Sequence, residues 1–265
     1  MLFAVTLFVC WGIVSAKVAG PPPGPNESQR IVGGSATTIT QYPFAAALLY
    51  SQAQTVFTQQ CGGTIINQRT ILTAAHCFWN TGMIVSRWRA RVGSSWAHSG
   101  GSIHTPGEIT NHPQYNPSFE DNDFSLLRLN TFIQYLTNSV GPANIAAANY
   151  NLGDNQIVWA IGWGDTWLGV PGVDQLRHVQ IWTVNQELCA QRYATQGRRI
   201  TKSMLCIGYV NVGGRDQCTG DDGSPLLHNN VVVGIRSWGI GCGDPYYPGV
   251  NSRVSVASHW IEAMT

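Results

Sequence analysis

From Ile31 onward the apolar residues come in short runs, broken every few positions by Gly, Asn, Pro or Ser. Runs of this length, rich in Val, Ile, Thr and aromatics, predict β-strands rather than helices. The candidates are Phe44–Tyr50, Gly63–Ile66, Thr70–Thr73, Arg87–Val92, Phe124–Leu129, Gln156–Gly162, Leu176–Thr183, Val231–Ser237 and Gly249–Val254. Two segments carry helical spacing instead. Asn185 can cap a short helix through Tyr193, and Ser255 can cap a last one in which Val256, Trp260 and Met264 recur. Many short strands with so few helices predict an all-β barrel or sandwich.

The first thirty residues follow a different pattern. Met1–Ala16 is almost wholly apolar and ends Val14-Ser15-Ala16. It is too short for a membrane span and closes on small residues, so it predicts a secretory signal peptide. Residues 17–30 follow, with Pro21, Pro22, Pro23 and Pro25, a composition that suits an extended, solvated segment. This stretch holds an acceptor sequon, Asn26-Glu27-Ser28, and ends at Arg30, as a removable propeptide would. The expected organisation is signal 1–16, propeptide 17–30 and a domain over 31–265, with halves at roughly 31–145 and 146–265.

Composition narrows the function. A chain of 265 residues, 44% hydrophobic, can bury a sizeable core. Cys10 lies in the signal, leaving Cys61, Cys77, Cys189, Cys206, Cys218 and Cys242. An even number after a secretory signal, with no Cys-x-x-Cys pair, points to disulfides and away from zinc or redox chemistry. The net charge of +1 gives no electrostatic case for nucleic acid or an anionic membrane. Cutting after residue 30 removes two of 15 basic side chains and one of 14 acidic ones, leaving thirteen of each. Only Lys17 and Lys202 are lysines, and arginine keeps its charge at higher pH, which would suit an alkaline lumen.

Three places carry chemistry. Thr73-Ala74-Ala75-His76-Cys77 sets an imidazole on a turn beside a candidate disulfide. Asp123 opens an apolar strand, and Asp121, two residues earlier, reads as a solvated neighbour. Arg215–Pro225 gathers Asp216, Asp221 and Asp222 in a glycine-rich loop pinned by Cys218. Carboxylates so close together are costly to bury without partners. His98, His104, His112, His178, His228 and His259 have no motif or ligand spacing.

With these motifs the chain resembles the trypsin-like serine proteases of the chymotrypsin fold, most of all the digestive trypsins of moths. The resemblance covers residues 31–265 and rests on IVGG at Ile31, TAAHC, DNDFSLL, RDQCTGDDGSP and SWGIGCG. It implies two packed antiparallel β-barrels with a C-terminal helix. It also implies bridges Cys61–Cys77, Cys189–Cys206 and Cys218–Cys242. His76 matches the general base and Asp123 the carboxylate that orients it. The amides of Gly220 and residue 222 match the oxyanion hole. Asp216 matches the base of a pocket selective for Arg or Lys, with Gly239 and Gly249 as its walls. Arg30 and Ile31 match the activation cleavage, after which the Ile31 ammonium would pair with Asp221. The implied partners are basic peptides, protein substrates or inhibitors, and an activating trypsin-like protease. The implied protein is a secreted monomer, as in a gut lumen. No cofactor or metal is implied, and Arg91–Gly107 holds no carboxylate for a calcium site.

One position departs from the pattern. Asp222 stands where the family carries its nucleophilic serine, and Ser224 replaces a family glycine. Reading Ser224 as the nucleophile would misplace Cys218, Gly220, Asp221, Gly223 and Pro225 together. A carboxylate is a poor nucleophile toward an amide, and its charge opposes the oxyanion. It would also set His76 between two carboxylates and raise its pKa. The expectation is a catalytically silent homologue that binds peptides or inhibitors. The rivals are an active endopeptidase cutting after Arg or Lys in digestion, and a decayed gene product that binds no arginine mimic.

Overall fold

Two antiparallel sheets carry the chain in a computed structural model that describes residues 31–165 and 174–265. The expected signal peptide and propeptide, with Cys10, the Asn26 sequon and Arg30, lie outside the described residues.

The first sheet runs in the order Ser102–His104, Trp88–Val92, Ala45–Tyr50, Thr58–Ile65, Thr70–Thr73, Ser125–Leu129 and Pro106–Asn111. It curls into a half-barrel around Trp88, Phe78, Leu127, Leu129 and Ile133, all fully buried. The second runs Ser35–Ala36, Arg177–Thr183, Ile157–Gly162, Pro225–His228, Val231–Trp238, Gly249–Arg253 and Met204–Gly208. Met204–Gly208 then pairs back onto Arg177–Thr183, which closes a barrel. Closure removes the exposed strand edges that an open sheet would leave. The two-barrel, all-β architecture implied by the resemblance is the one present.

Each expected strand is found, most with ends moved by one or two residues, although the strand expected at Gly63–Ile66 begins earlier, at Thr58. Asn185 caps the helix Gln186–Ala194, its side chain accepting from the Leu188 amide at 3.0 Å. The last helix, Val254–Met264, begins two residues earlier than expected, so Arg253 and not Ser255 occupies its cap. Burial of Val254 against the core sets that start, overriding the capping preference of the serine. Trp260 of this helix meets His112 of the first half with ring centroids 4.8 Å apart. Three disulfides join Cys61–Cys77, Cys189–Cys206 and Cys218–Cys242, the pairing that the resemblance implied. Among the described residues no helix is long and apolar enough to cross a membrane.

Candidate active site

Thr70–Thr73 and Ser125–Leu129 are neighbours in the first sheet, with Thr73 paired to Ser125. The chain leaves one into the short helix His76–Trp79 and enters the other from Asp123. That pairing fixes the meeting of the two side chains. Asp123 is fully buried, accepting from the His76 amide at 2.8 Å with Oδ1 and facing His76 Nδ1 at 2.7 Å with Oδ2. Ser237 of the second sheet donates its Oγ to Asp123 Oδ2 at 2.5 Å, and Ser252 donates to the Asp123 carbonyl at 3.0 Å. The pair is therefore held from both barrels. Burial alone would raise the Asp123 pKa, but the His76 charge and these hydrogen bonds together hold it below the usual carboxylate range.

The other face of the imidazole looks onto the second sheet. His76 Nε2 lies 3.8 Å from Asp222 Oδ1. Asp222 is carried on a turn clamped by Gly223, whose amide donates to Arg236 at 2.9 Å, and by its own carbonyl, which accepts from the Gly62 amide at 2.7 Å. Gly223 sits at φ +80°, and a Cβ there would overlap Thr73 Oγ1. Only glycine fits this turn without strain. Burial pulls the His76 pKa down, yet Asp123 and then Asp222 outweigh it and hold the imidazole well above its ordinary value. Among the described residues, the amides of Gly220 and Asp222 find no acceptor within the protein. Gly220 itself is at φ +87°, with its carbonyl held by Gln59 Nε2 at 2.6 Å. Two free amides beside a histidine could bind a polarised carbonyl oxygen.

Asp221 is fully buried. Its oxygens accept from the amides of Gly164 at 2.8 Å and Cys218 at 3.0 Å. Burial, only partly offset by these bonds, pushes its pKa up to about 7. Ile31 is also fully buried and is held at φ +46°, while Val32 bridges to Asp216. Ser224 is buried beneath Gly62, and its Oγ has no partner.

Asp216 is buried and accepts from the amides of Gln217 at 2.8 Å and Gly243 at 3.1 Å. Trp238 pairs with Val250, which brings Gly239 opposite Gly249 beside it. A Cβ on Gly249 would overlap the Asp216 carboxylate. A Cβ on Gly239 would stand 3.3 Å from both terminal nitrogens of Arg236. Sequence reasoning missed Arg236, although it is the one charged residue in the apolar run Val231–Trp238. It also took Asp121 as solvated. Asp121 Oδ1 in fact accepts from Thr201 Oγ1 at 2.6 Å and from Ser203, which ties the first half to a loop of the second.

Of the other histidines, His98 pairs with Asp174 at 2.6 Å and His178 with Tyr42 at 2.7 Å. Among the described residues no three His, Cys, Asp or Glu side chains gather as a metal site would require.

The whole arrangement has close relatives. Residues 31–261 match the sequence model of the family described as Trypsin. The chain is 54% identical to Trypsin CFT-1 of Choristoneura fumiferana over 255 residues, covering 96% of this chain and 98% of that one. It is 54% identical to the protein named Trypsin, alkaline B of Manduca sexta over 246 residues, 93% and 94% of the two chains. It is 56% identical to Achelase-1 of Lonomia achelous over 212 residues, 78% of this chain and 95% of that one.

Proposed function

The chain belongs to the trypsin family, and from that premise we propose that it is a secreted homologue that binds polypeptides or protein inhibitors in its cleft without cutting them. The observation that carries this reading is the 3.8 Å approach of Asp222 to His76, at the place where the family's serine would stand.

A trypsin needs a hydroxyl whose proton His76 can take and whose oxygen attacks the substrate carbonyl. Asp222 offers a carboxyl group and no alcohol hydroxyl at this position. Attack by its carboxylate would give a mixed anhydride, and its charge opposes the charge developing on the substrate carbonyl. His76, held as imidazolium between Asp123 and Asp222, has no free lone pair at Nε2 to act as base. The free amides of Gly220 and Asp222 remain able to bind a peptide carbonyl.

Processing fits the same reading. Cleavage between Arg30 and Ile31 by a trypsin-like protease would free the Ile31 ammonium. Asp221, buried and in no ion pair among the described residues, is the acceptor this ammonium would satisfy. Ile31 at φ +46° supports the idea, since a β-branched residue there costs about 1–3 kcal/mol of strain, which opening the preceding bond would relieve.

The rival, an active endopeptidase cutting after Arg or Lys in digestion, draws on the relatives' names and on the intact His76–Asp123 pair. It needs another nucleophile. Ser224, two residues along the same loop, is buried under Gly62, and its Oγ makes no hydrogen bond to His76.

The test is digestion of unfolded casein by the chain cut after Arg30. The expected result is no release of peptides above the uncatalysed rate. The Asp222→Ser variant is expected to raise hydrolysis by about 10³-fold or more. Steady cleavage by the unaltered protein would overturn the reading.

A further inference from the structure

We propose that Arg236 is a resident cation of the Asp216 pocket, taking the place of a ligand's basic side chain, so that the cleft engages polypeptides without selecting Arg or Lys. This deepens the reading above and rests on it only for the place of the cleft.

The geometry begins with the backbone. Arg236 lies on the strand Val231–Trp238, opposite Asn251, and the register slips between Arg236 and Trp238. Its amide donates to the Ser224 carbonyl at 2.9 Å, and its carbonyl accepts from Gly223 at 2.9 Å. The residue is thus fastened to the loop that carries Asp222. Its side chain, 5% exposed, turns inward. Nη1 donates to the Trp238 carbonyl and, at 3.4 Å, to that of Val250. Those two carbonyls flank the paired glycines, so the guanidinium lies against Gly239 while the Asp216 carboxylate lies against Gly249. An open pocket would have a cation-sized space at this point.

A guanidinium is charged at every accessible pH. Within this desolvated space it already supplies the counter-charge to Asp216, acting at a distance, since among the described residues no ion pair joins the two directly. A second cation from a ligand would meet Arg236 as a like charge in a poorly screened site. It would also have to displace Nη1 from the Trp238 carbonyl. Among the described residues, the side-chain amides of Gln217 and Asn251, both fully buried, and Nε of Arg236 have no hydrogen-bond partner. The space around Asp216 is therefore polar, and the cation it holds is the Arg236 guanidinium.

Benzamidine, a small arginine mimic, is the probe, titrated by calorimetry into the chain cut after Arg30. The expected result is no saturable binding to the unaltered protein. Arg236→Val, which restores the apolar character of the strand, is expected to bind at least about 100-fold more tightly. Adding Asp216→Asn to that variant should abolish the gain. Arg236→Met, which keeps the length of the side chain, covers the case in which the valine variant fails to fold. Saturable binding to the unaltered protein that Asp216→Asn removes would overturn the proposal, whether or not either variant folds. Folded Arg236→Val and Arg236→Met proteins that both ignore benzamidine would overturn it equally. Benzamidine binding without casein hydrolysis would sink this proposal and leave the non-cleaving reading intact, while hydrolysis without benzamidine binding would do the reverse.

Discussion

His76 Nε2 faces Asp222 Oδ1 across 3.8 Å, while Nδ1 of the same ring faces Asp123 Oδ2 at 2.7 Å. One imidazole thus stands between two carboxylates from different barrels, and the protonated ring satisfies both.

The first prediction concerns that proton. Its folded pKa is raised, so the stability it contributes is fully present below the unfolded value of about 6.5 and is lost as pH rises through the folded one. Nitrogen-15 NMR should show His76 as imidazolium at pH 7. Asp222→Asn should lower its pKa. A neutral ring at pH 6 in the unaltered protein would contradict the account.

Asp221 gives a prediction of the same sense in a lower pH window. Its folded pKa, about 7, exceeds its ordinary 3.8, so over about pH 4 to 7 the folded state holds a proton the unfolded chain has lost. A chain still joined through Arg30 should lose stability as pH rises across that window. After cleavage the Ile31 ammonium favours the ionised carboxylate, and the slope should flatten or reverse. Denaturation midpoints of both forms at pH 4.5 and 7.5 check this, and identical pH dependence would count against the Ile31–Asp221 pairing.

Gly223→Ala should destabilise the fold. The left-handed backbone alone costs about 1–3 kcal/mol for a non-glycine residue, and the added methyl overlaps Thr73 Oγ1. Urea unfolding measures the loss, and a change under about 0.5 kcal/mol would show that the turn around Asp222 can relax.

Ser224→Ala should be neutral or stabilising, because the buried Oγ it removes has no partner and leaving such a group unmatched costs about 1–3 kcal/mol. The same variant leaves the Asp222–His76 approach unchanged. If instead it abolished a hydrolytic activity, Ser224 would be the missing nucleophile.

Much of this was legible in the sequence because the informative positions are local. Thr70–Thr73 is the strand its β-branched pattern predicts, and the bridges are those the family motifs imply. Pro106–Asn111 went unseen because Pro106, Gly107 and Glu108 break any alternation, yet pairing with Ser125–Leu129 holds it as a strand. Met204–Gly208 lacks a polar face because both its sides are buried. Ser237 and Ser252 carry no sequence signal for their bonds to Asp123, which tertiary packing alone creates. Arg236 was hidden by its surroundings. A strand pattern read for apolar residues passes over the one charge that the fold turns inward.

The most direct measurement is covalent labelling with diisopropyl fluorophosphate, which needs an activated serine and no basic side chain, read by mass spectrometry on the chain cut after Arg30. The account predicts no adduct on the unaltered protein and one phosphoryl group on the new serine of Asp222→Ser. A stoichiometric adduct on the unaltered protein, at Ser224 or any other hydroxyl, would contradict it.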